Sequence, residues 1–317
     1  MSLTLPDLQK FGISETRGFL SGDPPLTTFT DSYFSPWDDL VAPLHANISA
    51  GTIRKQVHSL PLLEVSKLST ELEYRRAYVV LAFLVHSYVW AASGDQKPEN
   101  NVFPSQIAEP FLQVCERLGL RPVLSYAGLC IWNWQVNNSD AAEQATDSAF
   151  YTLDQLSSLA SFTGSRGEDA FYHVPVLIEA EGGPLISLLL NAIAASSQGD
   201  TASVKTALRA SEAAIARMMQ HLPKLYARLD ADEFYNQMRP FMAGGKGKLP
   251  RGGMVFQRSD GSEYVAECIG GSAAQSSLFQ FLDLVLGTEH AATPGNKETL
   301  FQVCSLQLFS CFPRFVR

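Results

Sequence analysis

The chain has 317 residues, 46% of them hydrophobic and 18% charged, which supplies enough apolar surface for one large core or two domains and excludes a disordered chain. Its net charge of −8, with no local cluster of Lys or Arg to reverse it, argues against a protein that tracks a phosphate backbone, so no nucleic-acid partner is expected. The five cysteines, Cys115, Cys130, Cys268, Cys304 and Cys311, are scattered without CxxC spacing, which suits reduced thiols in the cytoplasm better than disulfides or a zinc site.

No basic segment followed by an apolar run opens the chain, so no secretory signal is read there. The first 60 residues or so, rich in Pro, Ser, Thr and Asp, read as an extended arm with short helices packed on a larger body. Thr70 and Glu73 have the spacing of a capping box, opening a helix that runs to about residue 92 and is apolar beyond its first turns. That helix is expected at the centre of the fold. His86 within it reads as a hydrogen-bonded core histidine, or one beside a cavity, rather than a metal ligand. The longest apolar runs, 78–92 and 184–196, fall short of the roughly 20 residues a bilayer requires, so no membrane span is expected.

A second helix begins near Ile107 with Pro110 in its first turn and ends at Gly119. Residues 121–127 link it to a helix carrying Cys130, Trp132 and Trp134, where Tyr126 and Cys130 lie one turn apart and read by pattern as core more than pocket. The polar stretch 137–146 is the expected boundary between a small, mostly helical N-terminal domain, 1–145, and a large helical domain, 146–317. Phe171-Tyr172-His173-Val174-Pro175 follows, with His173 read as structural, and then an apolar helix from Pro184. A long amphipathic helix is expected over 206–230, kinked or broken by Pro223.

Phe234 and Arg239, five residues apart in the next helical stretch, are expected on adjoining faces. The pair suits a ligand with an aromatic body and a carboxylate, although an Arg that snorkels or pairs with a nearby acid is the reading the pattern favours. Gly244-Gly245-Lys246-Gly247-Lys248 lacks the spacing of a phosphate loop and has no strand before it. A short hairpin is expected around Ser259-Asp260-Gly261. Gly270-Gly271-Ser272-Ala273-Ala274-Gln275 then reads as a tight glycine turn, with a second capping box between Ser272 and Gln275 opening an amphipathic helix that Gly287 ends. Asp283 sits inside this apolar helix and needs a partner.

Taken together and in order, five motifs resemble the indoleamine 2,3-dioxygenase family, and its fungal or microbial members most. They are Tyr88-Val89-Trp90, Ile107-Ala108-x-Pro110-Phe111, Leu118-x-Leu120-x-Pro122-x-Leu124-x-Tyr126-Ala127, Phe234-Tyr235-x-x-x-Arg239, and Gly270-Gly271-Ser272-Ala273-x-Gln275-Ser276-Ser277 through Asp283. The resemblance implies a mainly α protein, with a small N-terminal domain over a large helical domain that binds haem b. It also implies insertion of both atoms of O2 across the indole C2–C3 bond of L-tryptophan or a related indole, giving N-formylkynurenine. Carried over to this chain, Phe234 would stack on the indole and Arg239 would hold the carboxylate. Tyr126, Cys130 and Phe171 would line the distal pocket, and Gly271, Ser272 and Ala273 would lie over the haem edge. A cytoplasmic monomer is expected, with no membrane partner.

Two departures from the family pattern stand out. Pro175 occupies a position where many members have a pocket serine. The motif correspondence ends at Gln302, ahead of the family's proximal histidine, which Asp283 would steady through a hydrogen bond. The expectation is therefore a chain without its C-terminal helices, with no metal ligand among His45, His58, His86, His173, His221 and His290, and with a tail at 303–317 read as translated intron or frameshifted sequence. Activity of such a chain would be impaired. The alternatives are a non-catalytic paralogue that does not hold haem, or a dioxygenase acting on another indole in secondary metabolism.

Overall fold

The computed structural model describes residues 5–20, 22–91, 102–137 and 151–288. The expected domain junction at 145–146, His290 and the tail from residue 303 lie outside the described residues. What is described is mainly α-helical, as expected. The N-terminal arm carries three short helices, α1 (Ser35–Val41), α2 (Leu44–Ser49) and α3 (Ile53–His58), anchored by a buried aromatic group of Phe29, Phe34 and Trp37.

Helix α4 (Glu71–Trp90) is the axle of the molecule. The capping box forms: Thr70 Oγ1 accepts from Glu73 N–H at 3.2 Å, and Glu73 Oε2 accepts from Thr70 N–H at 3.0 Å. Every residue from Ala77 to Val85 is fully shielded from solvent, the fate of a helix that is apolar on all sides. It is enclosed by α1, α3, α5 (Ser105–Leu118) and the turn Ala127–Ile131. Pro110 falls in the second turn of α5 rather than the first, because the helix starts at Ser105, and Gly119 ends it in the left-handed region at φ 67°.

The segment expected as an aromatic approach followed by a separate apolar helix is one 32-residue helix, α6 (Arg166–Ser197), which runs through Pro175 and Pro184. Packing overrides propensity here. Gly183 lies against the Arg17–Gly18 backbone and Gly182 against the Leu278 side chain, contacts that a β-carbon would obstruct. Joined in this way, the two apolar stretches pass the length and hydropathy test for crossing a bilayer, unlike either alone, but 61% of the most apolar window is buried inside the protein, as in a core helix.

Helix α7 (Thr201–Met219) packs along α6, and Asp200 caps it by accepting from the Ala202 and Ser203 N–H groups. It starts and ends earlier than expected. Pro223 opens the short α8 (Leu222–Tyr226), so the chain breaks at this proline instead of kinking. Strand β1 (Val102–Phe103) runs parallel to β4 (Met254–Gln257), which forms the expected antiparallel hairpin with β5 (Glu263–Ala266); β2 (Gln135–Val136) and β3 (Leu156–Ser157) make a separate pair. Helix α9 (Ser277–Leu286) ends at Gly287, as expected.

One buried ion pair ties the arm to the axle. Arg76 Nη2 donates to Asp38 Oδ1 at 2.8 Å, and Asp38 Oδ2 also accepts from Phe29 N–H at 2.8 Å. Removing one member strands the other charge in a low-dielectric setting, at a cost of about 3–5 kcal/mol. Asp38→Ala is therefore expected to lower stability by that amount in urea unfolding; a change under about 1 kcal/mol would show that this pair is screened like a surface one.

Candidate active site

Two groups of side chains predicted from the sequence come together separately. The first forms on α6 and the segment Glu233–Met238. Phe171 and Phe234 meet with ring centroids 5.2 Å apart, and Tyr235 packs edge-on to Phe234 at 5.1 Å. Residues 233–238 form a π-helical turn, in which Arg239 N–H donates to Phe234 O at 2.8 Å, an i to i+5 bond. On this turn Phe234 is half-buried and Arg239 exposed. The Arg239 guanidinium lies 5.1 Å from the Tyr235 ring centroid, and no carboxylate pairs with it among the described residues.

What seats this turn was not read from the sequence. The Glu233 carboxylate accepts from Ser165 Oγ and sits over Gly167 in the first turn of α6, where a β-carbon would meet it at 2.5 Å. Exposed backbone N–H groups at a helix start favour an anion there, and Gly167 leaves room for it. Nearby, buried Glu168 gathers the preceding loop by accepting from Phe162 N–H at 2.8 Å, Thr163 N–H at 2.7 Å and Tyr172 OH at 2.7 Å. The spacing Ser165-x-x-Glu168 is a capping-box signal that would have located this helix start, and Ser165 Oγ does accept from Glu168 N–H at 3.0 Å.

The second group is buried. Tyr126 OH donates to Glu179 Oε1 at 3.0 Å and Ser276 Oγ donates to the same oxygen at 2.6 Å, while Glu179 Oε2 has no partner among the described residues. Burial drives the Glu179 carboxyl up to about 7, opposed by those two donors. Burial also pushes the Tyr126 phenol and the Cys130 thiol well above their usual ranges, so Cys130 stays a thiol at neutral pH. Glu179 was not singled out from the sequence; an acid in an apolar stretch of α6 was its only signal.

The glycine turn joins the two halves, but for a different reason from the one expected. Neither Gly270 nor Gly271 has positive φ. What matters is close approach: a β-carbon on Gly271 would lie 2.5 Å from Leu129 Cδ1, and one on Gly270 would run into the Met242 carbonyl. The capping box expected between Ser272 and Gln275 does not form. Ser272 Oγ accepts from Ala274 N–H at 3.3 Å, whereas Gln275 Oε1 accepts from Tyr126 N–H at 2.8 Å and its Nε2 donates to Gly270 O at 3.3 Å. The N-cap of α9 is Ser276. Ser272 and Ala273 are exposed, and Asp283 is half-buried on α9.

His86 is the hydrogen-bonded core histidine expected. Its Nε2 accepts from Leu124 N–H at 2.9 Å, which puts the proton on Nδ1, and Nδ1–H donates to Phe241 O at 2.6 Å. It thus links a residue two before Tyr126 to one two after Arg239. His173 is also buried, with Nε2 3.3 Å from Ser158 Oγ.

A sequence model of the indoleamine 2,3-dioxygenase family matches residues 7–309. The chain belongs to the indoleamine 2,3-dioxygenase family. The matched range runs past Gln302. Among similar proteins, a 6-hydroxytryptophan 2,3-dioxygenase of Fusarium equiseti is 36% identical over 90% of this chain and 68% of its own length. An indoleamine 2,3-dioxygenase of Aspergillus candidus is 34% identical over 92% of this chain and 71% of its own. A myoglobin of Haliotis diversicolor is 30% identical over 90% and 70%. The chain is an indoleamine 2,3-dioxygenase-like enzyme, of a family that depends on haem.

The described residues fit one part of a haem site. The turn at Gly271, Ser272 and Ala273 carries no side chain larger than a serine and is partly open, which suits the edge of a flat macrocycle. No three His, Cys, Asp or Glu side chains converge among the described residues. His86 uses both ring nitrogens on the backbone, and His58 and His221 bond Tyr88 and Lys224 at 3.0 Å each.

Burial holds His86 at about 4, against 6.5 for a free imidazole. Between those values the unfolded chain takes up a proton that the folded one refuses. The His86 contribution is therefore present above pH 6.5 and is lost as pH falls toward 4, a change on the order of 3 kcal/mol. Glu179 opposes it, since a carboxyl raised to about 7 loses stability as pH climbs from 4.5 toward 7. His86→Phe leaves Leu124 N–H and Phe241 C=O unpaired, so it is expected to destabilise at pH 7.5, and the gap from wild type should narrow at pH 4.5. Urea midpoints at the two pH values check this; a gap that does not change with pH would refute it.

Proposed function

We propose that the enzyme dioxygenates L-tryptophan, or a close indole relative, to the N-formylkynurenine product. Bound haem supplies the O2 chemistry, and the Gly271–Ser272–Ala273 turn would hold its edge. The observation that carries this reading is the Phe171–Phe234 ring pair beside an Arg239 with no carboxylate partner among the described residues. In it, Phe234 stacks on the indole with Phe171 behind it, and the two aromatic faces keep water from the ring. Arg239 takes the substrate carboxylate in a two-pronged, charge-assisted contact and so fixes the ring's orientation. Tyr235, under the guanidinium, keeps Arg239 pointed to one side. Tyr126 and Cys130 form the inner wall, and Asp283 steadies the haem side from α9.

No general acid or base is required of the protein. The Cys130 thiol and Tyr126 phenol both remain protonated at neutral pH, which suits a wall rather than a nucleophile. Pro175, half-buried on the same helix as Phe171, presents no hydroxyl, so orientation rests on Arg239 and the rings.

A second reading, favoured by the similarity to the 6-hydroxytryptophan 2,3-dioxygenase of Fusarium equiseti, is a ring-hydroxylated tryptophan as the preferred substrate. Steady-state kinetics of the haem-loaded protein on L-tryptophan, 6-hydroxytryptophan and tryptamine separates the two. Arg239→Ala is expected to raise KM for tryptophan about ten- to a hundredfold, the equivalent of about 1.5–3 kcal/mol for a hydrogen bond to a charged group, and to leave the already weak tryptamine unchanged. Equal kcat/KM for wild type and variant on tryptophan would remove Arg239 from this role. A higher kcat/KM on 6-hydroxytryptophan would move the assignment to the second reading.

A further inference from the structure

Glu168, in the first turn of α6, is 0% exposed, and no Lys, Arg or His pairs with it among the described residues. A buried carboxylate without a counter-ion is tolerated only where donors surround it. Those donors come from one short loop: the N–H groups of Phe162, Thr163 and Gly164 at 2.8, 2.7 and 3.3 Å, and the hydroxyls of Ser161 and Thr163 at 2.6 Å each. Gly164, at φ 70°, supplies the left-handed residue that turns these groups toward one point. Tyr172 OH, at 2.7 Å, donates from outside the loop.

The loop shaped in this way grips the segment that carries Arg239 at both ends. Ser165 Oγ donates to the Glu233 carboxylate at its start, and the Phe162 ring stacks on Phe241, two residues past Arg239, at 4.7 Å and 11°. Phe162 also stacks on Phe83 of α4 at 4.6 Å, which fixes the second grip to the buried helix. We infer that Glu168 is a positioning residue: without touching substrate, it sets the loop that holds Arg239 in place. This rests on the reading of Arg239 as the group that takes the substrate carboxylate. An apolar side chain at 168 would fill the same space, but it would leave the Phe162, Thr163 and Gly164 N–H groups without their acceptor and release the loop toward water.

Glu168→Gln separates this role from plain stability. The amide keeps one acceptor, but its NH2 faces a backbone N–H in either orientation, since Oε1 serves Phe162 and Oε2 serves Thr163 and Gly164. Tyr172→Phe is the control, because it removes a buried hydrogen bond to the same carboxylate and leaves the loop contacts in place. Two measurements are made on the full chain. In hydrogen exchange, the amides of residues 234–242 are expected to exchange at least about tenfold faster in Glu168→Gln, and within about twofold of wild type in Tyr172→Phe. In steady-state kinetics of the haem-loaded protein, Glu168→Gln is expected to raise KM for tryptophan about fivefold with kcat within about twofold, and to add nothing further in an Arg239→Ala background. Unchanged exchange in Glu168→Gln, equal shifts in the two variants, or the same rise in KM with and without Arg239 would each overturn the inference. If Arg239→Ala alone leaves tryptophan kinetics unchanged while the exchange result holds, the reading of Arg239 fails and the grip on its segment stands; if Arg239→Ala acts and Glu168→Gln changes neither measurement, the grip fails and Arg239 keeps its role. Where Glu168→Gln does not fold, Phe162→Leu takes its place in both measurements, since it removes the stack on Phe241 and keeps the Glu168 hydrogen bonds.

Discussion

A single imidazole holds the candidate site together. His86, toward the C-terminal end of the buried helix α4, bonds Leu124 N–H with one nitrogen and Phe241 O with the other. Those backbone groups belong to segments more than a hundred residues apart in sequence, one leading into Tyr126 and the other leaving Arg239. Two neighbouring contacts reinforce the link. Trp90 Nε1–H donates to Ala243 O at 2.9 Å, and Phe83, Phe162 and Phe241 stack in series at 4.6 and 4.7 Å. A neutral histidine suits the task because it offers one donor and one acceptor in fixed directions, which a charged imidazolium does not. Burial that keeps it neutral is thus part of the same device.

Around this link the site is built by close approach. Gly270 admits the Met242 carbonyl and Gly271 the Leu129 side chain and the Leu124–Ser125 backbone where a β-carbon would not fit, and Gly167 admits the Glu233 carboxylate. Glu168, Glu179 and Gln275 then satisfy the backbone and hydroxyl groups that such tight junctions would leave unpaired. The two walls share one further feature. Each carries a π-helical turn, at Ala127–Ile131 and Glu233–Met238, and in each an i to i+5 bond takes side chains out of α-helical register.

Much of this was legible before the fold was known. The capping box at Thr70, the stop at Gly119, the hairpin at residues 254–266 and the end of α9 at Gly287 all follow from local chemistry, which the tertiary structure had no reason to override. The Ser272–Gln275 box shows the limit. The spacing is right, but Gln275 gains more by bonding the buried Tyr126 N–H than by capping its own exposed turn, and the helix start passes to Ser276. The break expected before Pro184 failed for a related reason: two flanking glycines let α6 be gripped on both sides, and that packing outweighs the proline.

The sequence by itself determined the mainly α class, the central place of α4, the family, and the residue types at the site, because periodicity, capping and ordered motifs are properties of the chain alone. Only the tertiary structure decided that Arg239 lies over the Tyr235 ring, that Tyr126 answers to Glu179, and that His86 ties their two segments together. Each of these depends on which backbone groups lose access to water when distant segments close on one another, and a hydrogen bond made at that moment leaves no spacing in the sequence to be read.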